Sequence, residues 1–123
     1  MSNPPRISEA EWAILKVLWK QAPQTANELA DLLAPKNDWS PCTVKTLINR
    51  LVSKGVLGRV KEGRAFLFRP LVQEADCVLA ATASFLDRVF DGSLNPMLAR
   101  LVEHKKLTRK QIDELKRILD EKG

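Results

Sequence analysis

The chain has two cysteines, Cys42 and Cys77, and a single histidine, His104. Two thiols make neither a disulfide framework nor a zinc set, and one histidine does not complete one. The same shortage bears on catalysis, because a nucleophile, its base and a group to orient that base cannot be assembled around a single histidine. No metal, no cofactor and no enzymatic activity are expected. No apolar run approaches the roughly 20 residues that a bilayer-crossing helix needs. Met1 to Arg6 lacks the apolar stretch of a secretion signal, so a cytoplasmic protein without membrane insertion is expected.

Acidic residues are missing from one long stretch: between Ser40 and Val60 there is no Asp or Glu. From Lys36 to Arg69, eight basic residues face two acidic ones, Asp38 and Glu62, for a local net of +6. The whole chain of 123 residues carries 20 basic and 15 acidic residues, a net of +5, so everything outside that segment sums to −1. Positive charge confined to one segment is the footprint of a surface that neutralises phosphates. A hydrophobic content of 45% argues against wholesale disorder.

Helix signals divide the first half. Ser8 three residues before Glu11 forms a capping box, with Ile7 and Trp12 as a hydrophobic staple; Trp12, Leu15, Leu18 and Trp19 recur at helical spacing until Pro23. Thr25 and Glu28 make a second capping box for a helix whose inner face is Ala26, Leu29, Ala30 and Leu33, and Pro35 is expected to close it. Ser40 as N-cap and Pro41 at the first helical position open a third helix, ended by Gly55.

The third helix separates into two faces. Val44, Leu47, Ile48, Leu51 and Val52 form an inner stripe; Thr43, Lys45, Thr46, Asn49, Arg50 and Ser53 lie outside it. Hydroxyls, an amide and cations are what base edges and phosphates require. A merely solvated face usually interleaves acids with bases, and this one does not. Lys54 at the end of the helix belongs to the same basic segment. The runs Val56 to Val60 and Ala65 to Arg69, separated by Lys61-Glu62-Gly63-Arg64, predict a β-hairpin with Arg59, Lys61 and Arg64 at or near its tip. Such cations can follow a phosphate backbone, although cationic tips also keep edge strands soluble. Recognition helix plus basic hairpin reads as a winged helix-turn-helix. The DNA-facing candidates are therefore Thr43, Lys45, Thr46, Asn49, Arg50, Lys54, Arg59, Lys61 and Arg64, and the expected partner is double-stranded DNA. The competing class is a winged-helix adaptor that binds protein, which calls for a less cationic outer face.

Beyond Pro70 the pattern is helical with nearly balanced charge. Gln73 to Phe90 reads as one helix ended by Asp91-Gly92-Ser93; Asn95-Pro96 reads as the start of a short helix through Glu103; Thr108 with Gln111 caps a last helix. The expected fold is mostly α with a small β-hairpin wing: a winged-helix DNA-binding domain over residues 1–71 and a helical dimerisation domain over 72–123. Three helices in about 50 residues make a marginal core alone. A second copy completes it, giving a C2 homodimer with two recognition helices on a palindromic operator. Cys42, in the first turn of the third helix and near Lys45, has two readings: a thiol favoured as thiolate and open to oxidation, or a small residue packed at the helix entry.

Four segments in order resemble the MecI/BlaI/CopY family of winged-helix repressors: ISEAEW from Ile7, TVKTLINRLVSKG from Thr43, KEGRAFLF from Lys61 and SFLDRVFDGSL from Ser84. The resemblance runs from about Ile7 to Glu121. It implies an N-terminal DNA-binding domain, a C-terminal dimerisation domain and repression at an operator dyad, with Thr43, Lys45, Thr46 and Arg50 facing DNA. Copper-sensing members carry C-terminal cysteine pairs, and this tail has none. In β-lactam resistance members the resemblance implies release by a sensor-linked protease that cuts an Asn-Phe bond. The dipeptide at that place here is Arg100-Leu101, a candidate proteolytic region with a different cleavage pair. Where those members have a lysine, this chain has Cys42.

Overall fold

The computed structural model describes residues 6–122, so the reading of Met1 to Arg6 falls largely outside it. Its elements are α1 Glu9–Lys20, β1 Gln24–Thr25, α2 Ala26–Asn37, α3 Pro41–Ser53, β2 Leu57–Glu62, β3 Ala65–Pro70, α4 Glu74–Phe90, α5 Leu94–Glu103 and α6 Arg109–Lys122. The chain forms two compact units, one ending at Ala81 and the other beginning at Thr82. The first unit takes in the opening turns of α4: Lys16 pairs with Glu74, the Trp19 indole N–H donates to the Val72 carbonyl, and Cys77 is buried.

The first unit is mostly α with a small β wing, as expected for a winged helix-turn-helix. Both early capping boxes form, Ser8 with Glu11 and Thr25 with Glu28. The buried stripe of α1 is Glu11, Ile14, Leu15 and Leu18. Trp12 and Trp19 are only half-buried and lie against each other at 5.7 Å between ring centres, so they flank the stripe instead of forming it.

Pro35 does not close α2; it lies inside the helix, which continues to Asn37. Proline removes one N–H donor, but the carbonyls exposed by the ending helix find other partners. The Asn37 amide donates to Leu33 O, and Asp38, in the left-handed region at φ 57°, and Trp39 both donate to Ala34 O. At the end of α3, Gly55 adopts φ +78°, and Val56 N–H returns to Leu51 O.

β1, β3 and β2 form a three-stranded antiparallel sheet in that order. β1 pairs Gln24 with Phe68 and Thr25 with Leu67; two residues carry no strand-period signal, so the sequence did not announce it. The hairpin turn is the two residues Gly63-Arg64, tighter than the four-residue connection expected, because Glu62 still pairs with Ala65. Gly63 at φ +63° takes the first central position, which fits a type II′ turn.

In the second unit, α5 begins at Leu94 after Ser93, two residues earlier than the Asn95-Pro96 reading, and Ser93 makes no side-chain cap bond. Proline suits any position in the first turn, so the pair marked the turn and not the cap. The Thr108 and Gln111 capping box forms as expected.

No atom lies within 4 Å of a Cβ built on Gly55, so a substitution there meets strain without a clash. Gly55→Ala should lower stability by about 1 kcal/mol through the left-handed backbone alone. Urea unfolding checks this, with the slope of the transition expected to stay as in the wild type.

Candidate nucleic-acid interface

α3 buries Val44, Leu47, Ile48 and Leu51 against α1 and α2, which leaves the opposite face to solvent. Its N-terminus is fixed by the Ser40 hydroxyl, which accepts from Thr43 N–H at 3.1 Å, and by Pro41 in the first turn. Thr43, Lys45, Thr46, Asn49, Arg50 and Ser53 are all exposed on one side, as the sequence pattern predicted. Thr46, Asn49, Arg50, Ser53 and Lys54 line a shallow open depression of about 380 Å³ on this face.

The hydroxyls of the face are partly committed. Thr46 Oγ1 donates to Cys42 O at 3.0 Å, so outward it offers lone pairs and a methyl group but no proton. Thr43 Oγ1 and Ser40 Oγ share a hydrogen bond at 3.1 Å. Cys42 is exposed, which removes the reading of a small residue packed at the helix entry. Cys77, by contrast, is buried, and burial followed by the charge of Asp76 pushes its thiol pKa up.

In the wing, Leu57 and Phe68 are buried at the base of the hairpin, and the same pleat face runs outward as Arg59, Lys61 and Phe66. The Arg59 guanidinium lies over the Phe66 ring at 4.8 Å, a cation–π contact that holds it four residues short of the turn. Arg64 occupies the turn itself, and Lys61 sits two residues before Gly63. Among the described residues, Lys45, Arg50, Lys61 and Arg64 form no ion pair. Cations left unpaired on one surface raise its positive potential undiminished.

Lys54 differs from these. Its ammonium meets Glu11 Oε1 at 2.5 Å and donates to the Arg6 carbonyl at 2.8 Å. Glu11 is 1% exposed, and the same oxygen accepts Ser8 N–H at 2.8 Å. Burial pushes the Glu11 pKa up, but the Lys54 hydrogen bond, the Ser8 amide and the Lys54 charge together outweigh it and hold the carboxyl below its ordinary value. The sequence pattern did not anticipate a buried carboxylate here. The signal available was Glu11 in register with Leu15 and Leu18 on the core stripe.

A family model described as penicillinase repressor matches residues 7–121. The chain belongs to the penicillinase repressor family. It is 39% identical over 121 residues to a penicillinase repressor of Bacillus licheniformis, an alignment covering 98% of this chain and 94% of that one. It is 34% identical over 116 residues to the methicillin resistance regulatory protein MecI of Staphylococcus aureus strain N315, covering 94% of each. Among solved structures it matches the Bacillus licheniformis BlaI monomer in complex with the blaP half-operator, with a TM-score of 0.54 and 41% identity over 62% of this chain and 93% of that one. As a member of the penicillinase repressor family, the chain carries a DNA-binding winged helix.

The second unit of this penicillinase repressor family member places Arg100-Leu101 in the last turn of α5, Arg100 exposed and Leu101 half-buried. Both carbonyls are occupied, Arg100 O by His104 N–H and Leu101 O by Lys106 N–H.

A carboxyl held below its ordinary pKa of 4.5 stabilises the fold in full above that value and loses its contribution as pH falls through the lowered value. Breaking a buried pair costs about 3–5 kcal/mol, reduced here because Lys54 is a third exposed to solvent. Glu11→Gln should therefore cost about 2 kcal/mol at pH 7. Wild type and variant should converge as the pH falls through the lowered carboxyl pKa. Urea unfolding across that range measures the difference, which cancels the carboxylates common to both proteins.

Proposed function

We propose that the protein is a dimeric transcriptional repressor that binds a palindromic promoter operator through α3 and the wing. The observation that carries this reading is the outer face of α3: hydroxyls, an amide and unpaired cations with no carboxylate, on a helix whose other face is sealed into the core. Thr43, Lys45, Thr46, Asn49 and Arg50 would meet the major groove, with Arg59, Lys61 and Arg64 along the flanking phosphates. The solution structure of the relative BlaI holds its monomer in complex with the blaP half-operator, which supports the same role for this chain. A protein-binding adaptor gains no support from a face this cationic.

The dimer rests on the second unit. Among the described residues from Thr82 onward no side chain is buried, and Phe85, Val89, Leu94, Val102, Ile118 and Leu119 are each exposed by more than two-fifths. Isolated helices with such faces do not hold a fold, and a second copy of the chain covers them by symmetry. Two copies set two α3 helices on half-sites separated by one or more turns of duplex. Release would follow from loss of this unit, cleavage by a sensor-linked protease being one route. At Arg100-Leu101 such a protease must first unwind the last turn of α5, whose carbonyls are tied by the following N–H groups.

Fluorescence anisotropy of the full chain on the DNA upstream of its own gene and on a scrambled duplex tests the reading. Preference for the promoter by at least ~10³-fold is expected; equal weak binding would remove the repressor assignment. Thr46→Ala should cost about 1–3 kcal/mol on the promoter and little on the scrambled duplex. Arg64→Ala should weaken both alike and flatten the salt dependence by about one phosphate. Equal effects of Thr46→Ala on both duplexes would remove it as a base reader.

A further inference from the structure

Apolar packing seats α3 but does not by itself fix where the helix stops along its axis. Val44, Leu47, Ile48 and Leu51 contact α1 and α2 through interactions that are non-directional and tolerant of small slides. The buried part of the first unit is apolar apart from Glu11 and Gln24. Glu11 is therefore the one buried charge among the described residues, and it is held from two sides. The Ser8 amide in the α1 capping box fixes its carboxylate, and Lys54, the residue that caps α3, meets the same oxygen. Glu11 Oε2 has no hydrogen-bond partner among the described residues. A buried ion pair with a spare, unsatisfied oxygen adds little stability over an apolar pair of similar shape; its directional geometry is what an apolar pair lacks.

We infer that Glu11 is a positioning residue for DNA recognition: through Lys54 it fixes the C-terminal end of α3, and Lys54 itself does not contact phosphate. The inference rests on the repressor reading above. Lys54 borders the depression lined by Thr46, Asn49, Arg50 and Ser53, so a displacement of its backbone moves the side chains that read bases. Its own charge is compensated at 2.5 Å by Glu11 and its second hydrogen bond goes to the Arg6 carbonyl, which leaves it no net charge for a phosphate. A displacement of one ångström at a recognition helix disturbs bidentate base contacts far more than diffuse attraction to the backbone, so specificity falls before general affinity does.

The test is a double-mutant cycle on binding, with Glu11→Gln, Lys54→Met and the pair together, and Lys54→Arg as the conservative variant. Full-length proteins are titrated by anisotropy on the upstream promoter duplex and a scrambled duplex at several salt concentrations, below the melting temperature of each. Each single change should lower the ratio of promoter to scrambled affinity about ten-fold, and the double change no further. The salt slope should stay at the wild-type value in all of them, and Lys54→Arg should restore most of the ratio. A loss of stability alone would leave the ratio of the folded protein untouched, so an unchanged ratio overturns the inference. So does a salt slope reduced by about one in Lys54→Met and unchanged in Glu11→Gln, which would make Lys54 a phosphate contact. If Glu11→Gln fails to fold, the ratio and slope of Lys54→Met and Lys54→Arg decide alone. A wild type without promoter preference would overturn the repressor reading itself, a result distinct from a selective wild type whose variants keep its ratio.

Discussion

A 13-residue helix that must bury one face completely while leaving the other bare governs the first unit. Val44 and Leu51 are fully buried, and Leu47 and Ile48 nearly so, which requires walls on two sides; α1 and α2 supply them. The connection out of α3 is then constrained as well. Gly55 turns the chain left-handed, and Val56 and Leu57 drop straight into the same core before β2 runs outward as the wing. The hairpin is thus aimed by the residues that end α3.

Much of this was legible because the relevant signals are local. Three capping boxes, the Ser40-Pro41 start, the apolar stripe of α3 and the glycine turns each depend on residues within one or two turns of chain, and each forms. Of the features that escaped, β1 depends on a distant partner and the helical Pro35 on capping bonds a few residues further along. β1 exists only because β3 offers Gln24 and Thr25 a ladder. Pro35 stays helical because Asn37, Asp38 and Trp39 satisfy carbonyls that a short-range reading leaves orphaned.

Lys54 shows the same limit at the candidate site. Charge pattern alone groups it with Lys45 and Arg50, since all three are cations of one helix and its cap. What separates it is Glu11, 43 residues away, which reads as a capping-box acid in sequence and is also a counter-ion in three dimensions. Eight other candidates lie exposed on the α3 face or the wing, where charge and periodicity had put them.

The two units divide their physics sharply. The first buries an apolar core of its own and leaves Lys45, Arg50, Lys61 and Arg64 without an ion pair; the second caps α6 with Thr108 and Gln111 and buries no apolar side chain among the described residues. Unpaired cations cost folding energy through mutual repulsion, and uncovered apolar faces forgo stability that burial would supply. Both deficits are made good by binding, the first by a polyanion and the second, on the reading proposed here, by another copy. That reading couples the two: a dimer would carry two cationic surfaces, so the second half-site would be met at an effective concentration far above that of a free monomer. On that reading, anything that unwinds the second unit weakens operator binding without touching a residue assigned to DNA contact.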